Sequence, residues 1–363
     1  MKIDFSNISK QNKKIKRRFL SKVSSIVNSS NFISGENVEK FEQDFAKYCG
    51  VKYCVATSSG TTALHTALHL FDSEGEVLTC PNSYIATSEA VSHCRHLKHK
   101  FVDVDETCNM NVDQAIKLTT RNTKIILPTS MYGNPCDLVG LKCLSKSSKS
   151  ILINDAAQAH GSLFNDKPIA SFSDLTCFSF YPGKNLGTCG EGGAVVTNSK
   201  KLYDKMKKLI NHGQSKKYHH DIVGFNYRMS EIEAVMLNLK LPYLDEWNNK
   251  RIFIANKYME ALSENKNVKT LKVERGNKCV YHLFPIFTKD KNKLQKTLND
   301  KGIQTGFHYP KPIHLQRAYK YLNHKKGDFP FSEQQAFSEI SLPINAEMTK
   351  KEIGYTCKIL STI

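Results

Sequence analysis

One lysine of the sequence lies where its amine would be held for chemistry. Lys184 follows an apolar run, Phe178 to Tyr181, and a Pro-Gly pair, and residues 190 to 193 beyond it are rich in glycine. A lysine in a turn directly after a strand is restrained, and a desolvated amine is the form that attacks a carbonyl carbon. An ordinary lysine would instead be a solvated surface residue. The segment therefore favours imine formation at Lys184.

A carboxylate ends another apolar run. Asp155 follows Ile151 to Asn154 and precedes Ala156-Ala157-Gln158. Open parallel sheets bind ligands outside the carboxyl ends of their strands, where a carboxylate could pair with a protonated ring nitrogen. The same residue in front of Ala-Ala-Gln also suits a helix N-cap. Both interpretations of Asp155 stay open at this point.

A third segment, Thr57 to Thr62, combines small hydroxyl residues with a glycine at the start of a helical pattern. Gly60 allows close approach of the backbone, and free amides and hydroxyls at a helix N-terminus bind anions. Helix capping alone would also explain the serines and threonines. We call Thr57–Thr62 the anion cradle. In chain order, the anion cradle, the carboxylate Asp155 at a strand end and the turn lysine Lys184 are the groups that pyridoxal 5'-phosphate (PLP) requires.

These segments need a sheet to bring them together. Between about residues 38 and 239, short apolar runs alternate with amphipathic stretches, which is typical of βαβ units around a mainly parallel sheet. The predicted strands are Tyr53–Thr57, Glu76–Thr79, Lys100–Val104, Lys124–Pro128, Ile151–Asp155, Leu175–Phe180 and Gly193–Thr197. The predicted helices are Val38–Tyr48, Thr62–Phe71, Ser83–His93 and Val112–Leu118.

The pattern changes after Pro242. A long helix is predicted at Tyr243–Leu262, a strand at Val280–Thr288 and a helix at Lys291–Lys301, with a tail from Phe331. We expect a large cofactor-binding domain, residues 1–242, which includes an N-terminal arm. A smaller C-terminal α/β domain, residues 243–363, would follow it.

The composition fits an enzyme that acts on a small-molecule substrate. The 363 residues are 40% apolar, enough for about two domains. The net charge of +18 is spread through predicted helices, and an anionic small-molecule substrate, or a genome that favours Lys and Asn, explains it as well as nucleic acid does. No apolar run approaches the roughly 20 residues of a membrane helix, and no signal peptide is visible. We expect a cytoplasmic protein with scattered free cysteines, no membrane contact and no nucleic-acid partner.

Two groups of residues could suggest a metal site. One group is the helical pair His65 and His69, and the other comprises His93, Cys94, His96 and His99. Neither group has a matching second half at a usual ligand spacing. We therefore expect no metal.

The motifs around the three cofactor segments resemble those of the DegT/DnrJ/EryC1/StrS family of PLP-dependent sugar aminotransferases. The likeness runs nearly end to end. The matching segments are Ile33–Gly35, Glu39–Glu42, Ser58–Leu64, Pro81–Thr87, Phe101–Asp105, Met131–Gly133, Asn154–Ser162, Phe178–Gly187, Gly224–Met229, Val280–His282 and Thr305–Gln316. The resemblance implies an α/β protein of fold type I, the aspartate aminotransferase architecture, with a mainly parallel central sheet.

The resemblance also implies roles, position by position. Lys184 would form the Schiff base, Asp155 would pair with the pyridine nitrogen, Gln158 would lie beside the ring hydroxyl, and Tyr84 would stack on the ring. The implied phosphate ligands are Gly60, Thr61, Ser179 and, from the neighbouring subunit, Asn226. An obligate homodimer with shared active sites follows from that last assignment.

One departure from the family pattern is Ser130, where many relatives have a histidine before a Leu-Tyr-Gly stretch. We expect activity nonetheless, because Lys184 is intact. The same lysine argues against the dehydratase branch of the family, in which a histidine replaces it.

The resemblance implies L-glutamate as amino donor and a nucleotide-linked keto-6-deoxyhexose as acceptor, in ping-pong alternation, for the biosynthesis of surface glycans. The segment His308–Gln316 is similar to that of relatives acting on 3-keto sugars, which favours C3 over C4. His308, His314 and Tyr181 are then candidate sugar contacts, although ordinary loop packing would also explain the two histidines. The basic stretch Lys216–His220 could meet a pyrophosphate or be only a solvated loop.

Three alternatives to this function stay open. The first is transamination at C4 of a 4-keto sugar, and the second is a cyclic ketone such as a keto-inositol. The third is a non-catalytic PLP-binding regulator, since a fold alone does not determine function. The presence of Lys184, Asp155 and Gln158 counts against the third.

Overall fold

Fourteen strands and thirteen α-helices are present in the computed structural model, which describes residues 1–363. The strands are β1 Tyr53–Thr57, β2 Gly75–Thr79, β3 Leu97–Phe101, β4 Thr123–Leu127, β5 Ile151–Asp155, β6 Leu163–Phe164, β7 Lys167–Pro168, β8 Leu175–Ser179, β9 Gly193–Thr197, β10 Gln214–Lys216, β11 His219–His220, β12 Val268–Thr270, β13 Phe284–Thr288 and β14 Glu339–Leu342.

The helices precede, connect and cover these strands. They are α1 Ile8–Lys13, α2 Lys16–Ser29, α3 Glu36–Tyr48, α4 Gly60–Leu68, α5 Ala86–Ser92, α6 Val112–Leu118, α7 Leu138–Ser148, α8 Lys200–Leu209, α9 Glu231–Lys240, α10 Leu244–Leu262, α11 Lys291–Asp300, α12 Pro330–Ser338 and α13 Lys350–Leu360. None of them is both long and apolar enough to cross a membrane.

The central sheet has seven strands in the order β1-β9-β8-β5-β4-β2-β3. Only β9 runs against its neighbours, and the remaining pairs are parallel. Successive residues of a strand point to opposite faces of the sheet and pack in different apolar cores. In β5, Leu152 packs in one core and Ile153 in the other. Both faces of the sheet are therefore covered, which explains why its strands read as continuous apolar runs. The predicted mainly parallel sheet is confirmed.

The sheet direction decides where the predicted cofactor segments meet. β1 and β8 both run antiparallel to β9, so they are parallel to each other, and β5 pairs with β8 in parallel. Their carboxyl ends, Thr57, Asp155 and Ser179, consequently lie at one edge of the sheet. The ligand site of an open parallel sheet is expected at this edge.

A three-stranded antiparallel sheet, β12-β13-β14, lies in the C-terminal part of the chain. Its core also takes in Ile3 from the N-terminus, together with Met131 and Tyr132. Ile3 forms an isolated bridge with Ile303. The chain start is thus packed on the C-terminal part, and the proposed boundary after residue 242 stays a prediction.

Two predicted strands are shifted for identifiable reasons. The strand expected at Lys100–Val104 is Leu97–Phe101, because pairing with β2 begins at Leu97 opposite Gly75. The strand expected from Val280 begins only at Phe284. The backbone N–H groups of Val280 and His282 instead donate to the carbonyls of Gly133 and Tyr132, so this stretch joins the loop after β4.

Helix ends also differ from the prediction by a few residues. α4 starts at Gly60, two residues earlier than expected, because Ser59 and Thr62 form a capping box. α5 starts at Ala86, three residues later than expected. The N-terminal arm contains two helices, α1 and α2, that the sequence pattern did not indicate.

Candidate active site

Lys184 lies in a rigid turn after β8. Its backbone N–H donates to the Tyr181 carbonyl at 2.8 Å. The neighbouring Asn185 side chain donates to Asn248 Oδ1 at 2.9 Å and to the Val280 carbonyl at 3.1 Å. A Cβ on Gly187 would lie 2.4 Å from the Pro182 carbonyl oxygen, so only glycine fits there. The turn is therefore held by its own backbone and by contacts to Asn248 and Val280 in the C-terminal part of the chain.

The surroundings of Lys184 change its protonation. Burial lowers the pKa of its amine to about 8, while the negative charge of Asp155 opposes that shift. Burial, followed by the nearby lysine charge, lowers the pKa of His160 to about 3 and that of His308 to about 4. The pKa of His282 is also lowered, first by burial and then by the charges of Lys184 and Arg251. These imidazoles stay neutral at the pH where the amine titrates.

Asp155 ends β5 and is almost completely buried, with 3% of its surface exposed. Its Oδ2 accepts a hydrogen bond from Thr87 Oγ1 at 2.7 Å, and its Oδ1 accepts one from the Ala157 N–H at 3.0 Å. Burial raises the pKa of this carboxyl group. Turns, not a helix, follow Asp155, so the helix-cap interpretation is wrong.

The anion cradle is divided between capping and free groups. Ser59 and Thr62 satisfy each other: the Thr62 N–H donates to Ser59 Oγ at 3.1 Å, and the Ser59 N–H donates to Thr62 Oγ1 at 2.9 Å. Gly60 lies against the end of β8, since a Cβ there would lie 2.5 Å from Ser179 Cβ. Thr61 is exposed beside it. The structure thus brings the three predicted phosphate ligands of this chain together.

Gln158 connects the sheet edge to the C-terminal part. Its Oε1 accepts from the Tyr132 N–H at 2.6 Å, and its Nε2 donates to the Tyr309 hydroxyl at 3.3 Å. Tyr132 has a left-handed backbone (φ 60°), and its hydroxyl donates to the His308 carbonyl at 2.6 Å. The rings of Tyr84 and Tyr309 lie 5.5 Å apart, and Tyr84 is 58% exposed.

The sequence did not indicate a role for three residues that contact the predicted site residues Asp155 and Gln158. These three are Thr87, Tyr132 and Tyr309. Each lies inside a motif quoted for the family resemblance. A signal was available for two of them, because Thr87 follows Tyr84 within one helical turn and Tyr309 adjoins His308. The contact of Tyr132 with Gln158 depends on a left-handed backbone that a tyrosine seldom adopts.

The three predicted sugar contacts, Tyr181, His308 and His314, differ in their exposure and in their hydrogen-bond partners. Tyr181 is 54% exposed at the lysine turn. His308 donates its N–H to Glu339 Oε2 at 2.6 Å, and its Nδ1 lies 2.9 Å from Ser341 Oγ. His314 is enclosed, with no exposed side-chain surface and with Nε2 3.1 Å from Glu333 Oε1. The structure does not bring His314 to the site, and the packing interpretation describes it better.

Other predicted residues lie at the surface or in the core. The exposed Asn226 accepts hydrogen bonds from Arg228 Nε and Nη2 at 3.1 and 2.8 Å within its own chain. Lys216–His220 forms an exposed hairpin. Ser130 is buried and donates to Asn154 Oδ1 at 3.1 Å. Of the metal-type residues, the fold brings His65, His69 and Cys94 together, which their sequence spacing does not show.

The fold and the site together define the class of protein. The model of the DegT/DnrJ/EryC1/StrS aminotransferase family matches residues 13–361, and the chain belongs to this family. The expected fold class, the aminotransferase activity and the PLP cofactor are thereby confirmed.

Individual relatives cover almost the entire chain. The chain is 35% identical to the dTDP-3-amino-3,6-dideoxy-alpha-D-galactopyranose transaminase of Aneurinibacillus thermoaerophilus, over 97% of this chain and 96% of that protein. It is 32% identical to a pleiotropic regulatory protein of Geobacillus stearothermophilus, over 98% and 96%. The crystal structure of DesV from S. venezuelae superposes with a TM-score of 0.96 at 31% identity, covering 99% of this chain and 98% of that one.

Proposed function

We propose that this protein transfers the amino group of L-glutamate to the C3 ketone of a nucleotide-linked keto-6-deoxyhexose. The observation that carries the proposal is the convergence of Lys184, Asp155 and the Gly60–Ser179 contact at one edge of the sheet. The transaminase from Aneurinibacillus, named for a 3-amino-3,6-dideoxy sugar, supports the C3 position. The product would serve the synthesis of amino or acetamido deoxysugars for surface glycans.

The residues at this edge fit PLP. A partly deprotonated amine at Lys184 can bond an aldehyde carbon, and the amides at Gly60 and Thr61 with the Ser179 hydroxyl can hold a phosphate. The Asp155 carboxylate can hold a proton on a ring nitrogen. When bound, PLP supplies an electrophilic carbon and an electron-withdrawing ring for breaking the Cα–H bond of an amino acid.

Lys184 would move the proton during the reaction. With a pKa of about 8, roughly one amine in ten is unprotonated at pH 7, far more than for an ordinary lysine. The amine can therefore accept a proton from carbon and return it within the same site. The neutral His160 and His308 beside it leave the lysine as the group that changes charge.

Aromatic and polar groups would orient the two substrates. Tyr84 and Tyr181 are exposed at the site, where their rings can cover a planar cofactor and an incoming sugar. Gln158 and Tyr309 are already hydrogen-bonded to each other, so they are ordered before a ligand arrives. His308 is fixed through Ser341 and offers a neutral imidazole to a sugar hydroxyl.

The active enzyme in this proposal is a cytoplasmic homodimer. Asn226 is at the surface of its own chain, where it could reach the phosphate of a neighbouring subunit. The eleven cysteines are all free, which fits a reducing compartment. The exposed hairpin Lys216–His220 offers positive charge for the pyrophosphate of a nucleotide sugar.

The experiment that tests the acceptor is a screen of 3-keto and 4-keto nucleotide sugars with glutamate, in which the new amine is located by NMR. Amination at C3 supports the proposal. Amination at C4, or of a keto-inositol, would replace the proposed acceptor by one of the alternatives.

A separate experiment addresses the regulator alternative, which the name of the Geobacillus relative favours. Glutamate is added to the cofactor-loaded protein without an acceptor, and 2-oxoglutarate is measured. An enzyme releases about one molecule per chain and then stops, as ping-pong kinetics requires. Lys184→Ala should release none, and Lys278→Ala, an exchange of a lysine outside the site, should behave like the wild type. Release of none by the wild type would favour a regulator.

A further inference from the structure

A cluster of potential metal ligands lies at the C-terminal end of α4, outside the site described above. His65 is in the last turn of α4, and His69, four residues later, is the C-cap residue that follows it, so the two share one face. Cys94 reaches the same place from the end of α5. One nitrogen of each imidazole and the Cys94 sulfur lie within 4.8 Å of one another. Cys94 Sγ is 3.0 Å from His69 Nδ1.

His65 carries an independent sign of a missing partner. The residue is 7% exposed, and its Nδ1 lies 2.8 Å from the Tyr227 hydroxyl. Its other nitrogen, Nε2, is buried and has no hydrogen-bond partner. Buried polar atoms without a partner are rare in native structures. A ring nitrogen fixed by a neighbour on its opposite side is the usual arrangement of a metal-ligating histidine.

Burial shifts the pKa of each of the three side chains toward its uncharged form. Burial lowers the pKa of His65 to about 4 and also lowers the pKa of His69. Burial raises the pKa of the Cys94 thiol to about 12. Neutral imidazoles are the ligand form, whereas the thiol must lose its proton when a metal binds.

We propose that His65, His69 and Cys94 form a zinc site. One nitrogen of each imidazole and the Cys94 sulfur bond to Zn²⁺, and the Cys94 S–H bond breaks to release one proton to solvent. No electron is transferred. Imidazole nitrogen and thiolate sulfur are both ordinary ligands of Zn²⁺, and three such ligands leave a fourth tetrahedral position open. Water can fill it, or His93, whose exposed ring lies 5.8 Å from that of His65.

Such a site would tie together elements that carry the predicted phosphate ligands. α4 begins at Gly60, and the Ser58 N–H donates to the Tyr227 carbonyl at 2.8 Å. Tyr227 adjoins Asn226 and holds His65 through its hydroxyl. The ion would therefore stabilise the packing of α4 against α5 and against residues 224–229. Its role is structural, since none of the three ligands is among the residues assigned to the chemistry.

The test uses cofactor-loaded protein that has been treated with a chelator and dialysed. Co²⁺ then serves as a spectroscopic substitute for Zn²⁺, and zinc is measured by elemental analysis. We expect one ion per chain, a thiolate-to-cobalt absorption band in the near ultraviolet, tetrahedral bands in the visible and one proton released per ion.

Variants decide whether these residues are the ligands. Cys94→Ser should lose the thiolate band, and Cys94→Ser and His69→Gln should each weaken Zn²⁺ binding by at least about tenfold. Cys143→Ser, at an exposed cysteine, and His99→Gln, at a histidine already bonded to the Ser88 carbonyl, should bind like the wild type. All four should retain the glutamate half-reaction.

Two results would overturn the zinc site. One is a wild-type protein that binds Co²⁺ without a thiolate band or does not bind it at all. The other is a Cys94→Ser protein with unchanged affinity. If Cys94→Ser does not fold, the affinity of His69→Gln decides by itself, because that residue is only partly buried.

Discussion

At the scale of the residue, the charge of Lys184 decides when the cofactor can be captured. A protonated amine has no free electron pair, so capture of PLP by cofactor-free protein should be slow well below the amine pKa. Because burial lowers this pKa to about 8, the rate should rise through pH 8 and level off above it. Stopped-flow absorbance at a series of pH values measures the midpoint.

A variant at Asp155 tests whether its negative charge raises or lowers the pKa of Lys184. The carboxylate raises the pKa of Lys184, so Asp155→Asn should move the midpoint of PLP capture to lower pH. The same variant should lose nearly all turnover, because the amide cannot hold a proton on the ring nitrogen. A midpoint near that of an ordinary lysine, or an upward shift in Asp155→Asn, would contradict the assignment of the two residues.

A substitution at Gly60 tests the anion cradle, because it changes only the size of the side chain. Gly60→Ala places a Cβ 2.5 Å from Ser179 Cβ, so β8 and the start of α4 must separate. We expect PLP affinity to fall by about tenfold to a hundredfold, a loss on the order of 1.4–2.8 kcal/mol. Gly354→Ala is the matched control, because a Cβ there meets nothing within 4 Å. Titration of cofactor-free protein with PLP measures both, and equal affinities would argue against a phosphate at Gly60.

At the scale of the element, one buried carboxylate holds the start of α3. Glu231, 1% exposed, accepts from the backbone N–H groups of Gly35, Asn37 and Val38 at 2.9 to 3.0 Å. These are donors that a helix start leaves unpaired. Glu231→Gln keeps the shape but loses one acceptor and the charge. We expect a loss of about 2–3 kcal/mol in the free energy of unfolding.

Urea unfolding followed by the fluorescence of Trp247, the single tryptophan, measures this loss. Glu39→Gln is the control, because Glu39 is an exposed acid in the first turn of the same helix. It should change stability by less than about 1 kcal/mol. An equal effect of the two substitutions would mean that Glu231 does not act as a cap.

The elements also show what the sequence predicts well and what it does not. Lys184, Asp155 and Gly60 follow apolar runs of parallel strands, so a local pattern places them at one edge. The positions of Thr87 against Asp155 and of Cys94 against His69 depend on packing between separate elements. No local pattern encodes such distances. For the same reason β3 was predicted three residues late, since its register is set by β2.

At the scale of the whole molecule, the proposed shared site can be tested by mixing two inactive proteins. Asn226→Asp keeps an oxygen for Arg228 but would repel the phosphate of the neighbouring subunit. Lys184→Ala removes the reactive amine. If Asn226 serves the neighbour, a heterodimer of these two chains contains one complete site, and an equal mixture should regain about a quarter of wild-type activity.

Recovery requires that the subunits exchange, so the two chains are also expressed together with different affinity tags and the heterodimer is isolated. Its activity should be about half that of the wild-type dimer, because one of its two sites is intact. If Asn226 instead serves its own chain, each site carries one defect and the heterodimer stays as inactive as its parents. A wild-type protein that is an active monomer in sedimentation experiments would contradict the dimer itself, and with it the sharing of Asn226.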